Sequence, residues 1–182
     1  MQMQPLDEIV LPETEPATEW ILENPVQKVS PERRHAMLQA ALGEILRRWA
    51  RGRGDVGTEW RFRIRPPGEY ARPFVPDVAF LSRERKAGLA GDDLEQPRVP
   101  PDISVEILSP DDRASHVEHK RNVYLAAGVR LVVIVDPERR VIDAYEPDGH
   151  RTFAGDATFA SGQFPDFGFS LAALFEELDE PE

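Results

Sequence analysis

Apolar residues recur with helical spacing in two segments of the chain. In the first segment, residues three or four positions apart form one apolar stripe: Leu38, Leu42, Ile45 and Trp49. This spacing predicts a helix over residues 31–50, with Ser30 as its N-cap and Pro31 at its first position. A second helix is predicted over residues 113–127, and Gly128 is expected to end it.

Elsewhere the apolar positions follow the period of β-strands. Residues 59–65 alternate between apolar and charged side chains, which predicts a strand with one buried face. The uninterrupted apolar run at 131–135 is typical of a strand buried on both faces. Further strands are predicted at 74–81, 103–108 and 141–145. Pro76 favours an edge position or a bulge. The order of elements predicts an α/β domain with a mixed β-sheet flanked by helices.

Three segments lack such periodicity. Residues 83–101 are polar and contain several Gly and Pro, which predicts a loop or a short helical insert. Residues 1–28 predict an acidic, Pro-containing N-terminal arm, and residues 178–182 an acidic tail. One domain is therefore expected over residues 29–177, a length that can bury a proper core.

The composition narrows the class of protein. The chain has no cysteine, which excludes disulfides and cysteine-based zinc sites. It has no apolar run of about 18 residues, as a transmembrane helix would need, and its start lacks the basic and apolar parts of a signal peptide. A cytoplasmic protein is predicted.

The net charge of −11 is unexpected for a protein that contacts nucleic acid, because phosphates repel an acidic surface. The charge is unevenly distributed, however. Residues 33–72 contain ten Arg and only four acids, between acidic ends. This segment is either a basic surface for DNA or a solvated face whose Arg side chains pair with nearby acids.

Two carboxylates interrupt apolar strands. Asp77 lies within the predicted strand 74–81, and Glu106 within the strand 103–108. A buried carboxylate is costly unless it is paired or binds a metal, and Mg²⁺ or Mn²⁺ prefers such oxygen ligands. The alternative is that each acid faces solvent or pairs with an Arg.

Lys120 lies in the predicted helix that follows the Glu106 strand. Val117, Lys120 and Tyr124 share one face of this helix, so Lys120 is on or beside the inward side. It could thus lie over the end of the Glu106 strand. The alternative is a lysine whose stem covers apolar surface while its amine reaches water.

Four motifs in order resemble the Uma-type family of restriction endonuclease-like proteins. These are the Pro76-Asp77 strand, the Val105–Pro110 strand, the Lys120–Val129 helix and the strand that ends at Asp136-Pro137. The Phe167-Gly168-Phe169 segment also matches the end of the family pattern. The resemblance covers about residues 30–176 and implies a restriction-endonuclease-like core of the PD-(D/E)xK nuclease superfamily.

The resemblance also implies roles for particular residues. Asp77 and Glu106 would bind a divalent metal together with the backbone carbonyl of Ile107, and Lys120 would help to activate water. Leu108 occupies the position where the superfamily usually has its lysine, and in this family the lysine comes from the next helix. Glu44 on the first helix is a candidate for an additional acidic residue.

The sequence therefore predicts a Mg²⁺-dependent (or Mn²⁺-dependent) endonuclease that hydrolyses DNA, with Asp77, Glu106 and Lys120 as its catalytic residues. A homodimer would fit such an enzyme, because two nicks make a double-strand cut. The alternative function is a catalytically idle module of the same fold that binds nucleic acid or a partner protein. The acidic composition favours that alternative, whereas the complete set of three residues favours the enzyme.

Overall fold

A six-stranded mixed sheet forms the centre of the protein. The structure, a computed structural model, describes residues 8–179. The helices are α1 (Arg33–Trp49), α2 (Arg83–Lys86), α3 (Asp92–Glu95), α4 (Ala114–Ala126) and α5 (Leu171–Glu176). The strands are β1 (Thr18–Ile21), β2 (Asn24–Gln27), β3 (Gly54–Thr58), β4 (Phe62–Ile64), β5 (Arg72–Phe74), β6 (Val78–Ser82), β7 (Ile103–Ile107), β8 (Leu131–Asp136), β9 (Val141–Glu146), β10 (Gly149–Ala154), β11 (Thr158–Ala160) and β12 (Gly168–Ser170). Residues 1–7 of the predicted arm and 180–182 of the predicted tail lie outside the described residues.

The central sheet has the strand order β10-β9-β8-β7-β6-β3. Strands β7 and β8 are parallel, and the other neighbouring pairs are antiparallel. A parallel pair needs a crossover connection, and α4 provides it. The predicted α/β fold with a mixed sheet flanked by helices is confirmed, and α4 lies over the end of the strand that carries Glu106.

The sheet is buried on both faces. On one face, the apolar stripe of α1 packs with α5 against inward-pointing residues of β6, β7 and β8, including Val133. On the other face, α4 and the β4–β5 pair cover Val132 and Ile134 of β8. Neighbouring residues of β8 thus point into different core clusters, as the continuous apolar run predicted.

Two local predictions about strands and one about a helix start were wrong, and one strand was not predicted. β3 was missed, because its sequence Gly-Asp-Val-Gly-Thr carries little strand signal, and β6 supplies the pairing that makes it a strand. The predicted strand 74–81 is split between β5 and β6, with Pro76 in the break, so β6 is an interior strand and Pro76 is outside it. The alternating segment 59–65 is a strand only over β4. Helix α1 begins at Arg33, and its N-cap is Glu32 instead of Ser30.

Part of the segment predicted to be an irregular arm forms regular structure. Strands β1 and β2 make an antiparallel hairpin in which Thr18 is opposite Gln27. This hairpin packs next to β5 and α4. Apolar and polar residues do not alternate strongly in this segment, and contacts with the domain stabilise its strands. None of the helices within residues 8–179 is long and apolar enough to cross a membrane.

Candidate active site

The register of two central strands places the two predicted carboxylates opposite each other. Val78 of β6 pairs with Val105 of β7. Asp77 directly precedes Val78, so the same register brings it opposite Glu106. The backbone N–H of Ile107 donates to Asp77 Oδ2 at 2.7 Å. Asp77, Glu106 and Ile107 line one open cavity of about 360 Å³.

Lys120 reaches this cavity from the second turn of α4. Its Nζ lies 2.7 Å from Glu106 Oε2, and the residue is only 6% exposed. The hydroxyl of Tyr124, one turn further along the same buried face, donates to Glu106 Oε1 at 2.8 Å. The helix then ends at Gly128, which follows the C-cap Ala127 with a φ of 95°. The structure thus brings together the three side chains that the sequence singled out.

Glu19 is a further member of the site that the sequence did not indicate. Its carboxylate accepts a hydrogen bond from Lys120 Nζ at 2.9 Å and another from the backbone N–H of Val75 at 2.7 Å. The side chain is buried, although it belongs to the hairpin strand β1. The only local signal was an acid next to Trp20 and Ile21 in a segment without clear periodicity.

Lys28 and His35 also belong to the site, on the Asp77 side. Lys28 Nζ lies 2.6 Å from Asp77 Oδ1, and it also contacts Glu59 Oε2 and the Val75 carbonyl, both at 2.9 Å. His35 Nε2 lies 3.1 Å from Asp77 Oδ2. His35 is buried one helical turn before Leu38, so the end of the apolar stripe of α1 was the signal that could have identified it.

The surrounding charges keep Asp77 ionised. Burial by itself would raise the pKa of Asp77, but Lys28 and then His35 hold it well below its usual range. Burial would likewise lower the pKa of Lys28, yet Asp77 and Glu19 outweigh it, and the pKa of the amine is raised. Asp77 and Lys28 therefore form a buried ion pair.

On the Glu106 side of the cavity, two carboxylates contact a single lysine amine. Burial would lower the pKa of Lys120, but Glu106 and Glu19 raise it, so its amine stays protonated. Burial raises the pKa of Glu106 to about 7; Lys120 opposes this rise, whereas Asp77 and Glu19 add to it. Two buried carboxylates, those of Glu106 and Glu19, thus share the one ammonium group of Lys120.

The donor set fits a hard divalent cation. Oxygen atoms of Asp77 and Glu106 face the same cavity, and the charge deficit beside Glu106 is what a bound cation would correct. Among residues 8–179, no group of three or more His, Asp or Glu side chains is arranged to hold a metal. In this structure, amine groups lie between the carboxylates. Lys120 Nζ contacts both Glu106 and Glu19, and Lys28 Nζ contacts Asp77.

Glu44 does not reach the site, which corrects its assignment as a candidate additional residue. Its side chain is 63% exposed and forms a salt bridge with Arg48, one helical turn away. It lines a groove between α1 and α5, on the other side of the sheet from α4. The position next to the apolar stripe of α1 faces solvent instead of Asp77.

At least four of the ten Arg side chains in the segment 33–72 form ion pairs with acids. These pairs are Arg48 with Glu44, Arg53 with Asp166, Arg63 with Asp93 and Arg72 with Glu69. For these four side chains the second interpretation holds, because an acid balances each of them. Among the residues that line the cavity, Arg113, the N-cap of α4, is an exposed cation.

A family model described as "Uma2: Putative restriction endonuclease" matches residues 6–173. The chain belongs to this family. Among solved structures, it is similar to one described as "a putative nuclease belonging to DUF820" from Anabaena variabilis ATCC 29413, with 26% sequence identity and a TM-score of 0.81. That similarity covers 92% of this chain and 94% of the other. No curated protein matches the chain. The match to the Uma2 family also begins before the β1–β2 hairpin, so Glu19 in the hairpin and Lys28 directly after it lie within the matched region.

Proposed function

We propose that this Uma2-family chain is a divalent-metal-dependent endonuclease that hydrolyses phosphodiester bonds of DNA. The observation that carries the proposal is the contact between Lys120 Nζ and Glu106, across the strand pair from Asp77 and in one open cavity. The family description and the nuclease description of the solved relative support a nuclease.

Asp77, Glu106 and the Ile107 carbonyl would hold the metal, which when bound polarises a phosphate oxygen and lowers the pKa of water. Lys120 carries a positive charge because two carboxylates keep it protonated. We assign Lys120 the role of donating hydrogen bonds to the phosphate and stabilising the negative charge that develops there.

In the reaction, a water oxygen forms a bond to phosphorus while the bond from phosphorus to the leaving sugar oxygen breaks. The proton lost by the water passes through solvent to the leaving oxygen, so the net change is hydrolysis. Two neighbouring side chains would orient the groups of the site. The Tyr124 hydroxyl donates a hydrogen bond to Glu106, and Glu19 accepts one from the amine of Lys120.

The test is to incubate supercoiled plasmid with the protein and Mg²⁺ or Mn²⁺. We expect metal-dependent nicking that chelation abolishes. Lys120→Met should reduce the rate by about two to three orders of magnitude, as removal of one transition-state donor typically does. Asp77→Asn should also reduce the rate, because it removes a charged ligand of the metal. Lys86→Met is the matched control, because Lys86 pairs with the exposed Asp55, and it should cut like the wild type.

Three results would contradict the proposal: no cutting by the wild type, cutting without metal, or equal cutting by the site variants and the control. DNA binding without cutting would support the idle module instead. A single-stranded RNA substrate run in parallel tests the choice of DNA. The ratio of nicked to linear product at different protein concentrations tests whether a homodimer makes double-strand cuts.

A further inference from the structure

Both carboxylate oxygens of Asp77 have partners within the protein. Oδ2 accepts the Ile107 N–H at 2.7 Å and faces His35 Nε2 at 3.1 Å. Oδ1 faces Lys28 Nζ at 2.6 Å. A metal ion that binds Asp77 must therefore take the place of one of these groups.

The partners on Oδ2 are fixed, because the Ile107 N–H belongs to a central strand and His35 is buried on α1. Lys28 is different. It follows the hairpin, and its amine has two further acceptors, Glu59 Oε2 and the Val75 carbonyl, each at 2.9 Å. If Lys28 leaves Asp77, its charge still has a carboxylate partner, so its displacement costs much less than that of the other two groups.

Glu59 is held in place to receive the lysine. Gln39 Nε2 donates to Glu59 Oε1 and to the backbone carbonyl of Asp77, both at 2.9 Å. The carboxylate of Glu59 thus stays beside Asp77 whether or not Lys28 bridges the two acids. The Glu59 side chain is 46% exposed, whereas Asp77 is almost fully buried.

We propose that Lys28 is the resident counter-ion of Asp77 and that a divalent cation replaces it, with Glu59 and the Val75 carbonyl retaining the displaced amine. This inference rests on the proposed metal-dependent function. It assigns Lys28 and Glu59 as positioning residues that set the affinity for the metal. The exchange keeps the charge of Asp77 compensated at each stage, because a buried carboxylate passes from one cation to another.

The experiment is isothermal titration of the metal-free full-length protein with Mn²⁺, without nucleic acid. Lys28→Met removes the competing amine, so we expect Mn²⁺ to bind about tenfold to a hundredfold more tightly, as loss of one charge-assisted competitor implies. Glu59→Gln removes the charged acceptor of the displaced amine, and binding should weaken about threefold to tenfold. The control Lys86→Met makes the same change of net charge elsewhere and should leave the affinity unchanged.

The outcomes separate this inference from the proposed function. If the wild type binds Mn²⁺ and Lys28→Met binds it equally or more weakly, the exchange is wrong and the metal site stands. If neither protein binds Mn²⁺, the inference and the proposed metal dependence both fail. Glu59→Gln is a surface-accessible change, so it tests the exchange even if Lys28→Met unfolds. A crystal structure with Mn²⁺ bound to Asp77 should show Lys28 Nζ on Glu59; an amine still on Asp77 Oδ1 would overturn the inference.

Discussion

Replacing Lys120 with Met tests the geometry of the site through stability, independently of nuclease activity. Methionine keeps most of the buried stem and removes only the amine. In the wild type that amine lies 2.7 Å from Glu106 and 2.9 Å from Glu19. The substitution therefore leaves two buried carboxylates without the cation that they share.

The expected loss can be worked out from the contacts that remain. Removing one partner from a buried ion pair costs about 3–5 kcal/mol. Here each carboxylate keeps one donor, the Val75 N–H for Glu19 and the Tyr124 hydroxyl for Glu106. We therefore expect the lower end, a loss of about 3 kcal/mol in the free energy of unfolding, which lowers Tm by roughly 6–12 °C for a domain of this size.

The assay is urea unfolding at neutral pH, in chelator, followed by tryptophan fluorescence. Lys86→Met is the control and should lose at most about 1 kcal/mol, as expected for an exposed ion pair. Adding Glu19→Gln to Lys120→Met removes one of the two orphaned charges, so part of the lost stability should return. Equal losses in Lys120→Met and Lys86→Met, or a further loss in the double variant, would refute the buried arrangement.

Two more predictions concern Glu146 and Leu108. Burial would raise the pKa of Glu146, but hydrogen bonds, first from Ser161 and then from the backbone of residues 162–163, lower it. Its contribution to stability is thus present above the unfolded pKa of about 4.3 and lost as pH falls through the lower folded value. In urea unfolding, Glu146→Gln should lose about 1–3 kcal/mol at pH 7 and progressively less below pH ~4; a constant difference would contradict this. Leu108 lines the cavity on the same side of β7 as Glu106. Combining Leu108→Lys with Lys120→Met should therefore restore part of the plasmid nicking lost in Lys120→Met, and no recovery would contradict the assigned role of the amine.

Some features of the site followed from local sequence patterns. Asp77 and Glu106 stood out as acids within apolar strands, and Lys120 as a lysine on the inward side of its helix. These signals are local, because the burial of a residue on a strand or helix is encoded by its immediate neighbours. The resemblance to the Uma-type family, whose model also matches the chain, supplied the connection among the three.

Other features depended on contacts between distant parts of the chain. Glu19 and Lys120 are 101 residues apart in sequence, and Lys28 and Asp77 are 49 apart. No periodicity in the first 28 residues indicates a partner at such a distance, so the hairpin was predicted as an irregular arm. Glu44 shows a related limit: its place beside the apolar stripe of α1 did not determine whether its side chain would face Asp77 or solvent.

The sequence by itself determined the α/β class, the buried run of β8 and the identity of three residues in the site, because each depends on local apolar patterning or on a family motif. The tertiary structure decided the register that sets Asp77 opposite Glu106, and it brought Glu19, Lys28 and His35 onto them. It thereby distributed the charges: Asp77 is fully paired, whereas Glu106 shares its lysine with Glu19. The physical reason is that charge compensation at a buried site depends on through-space distances, and these are fixed only when the hairpin, α1 and α4 pack against the sheet.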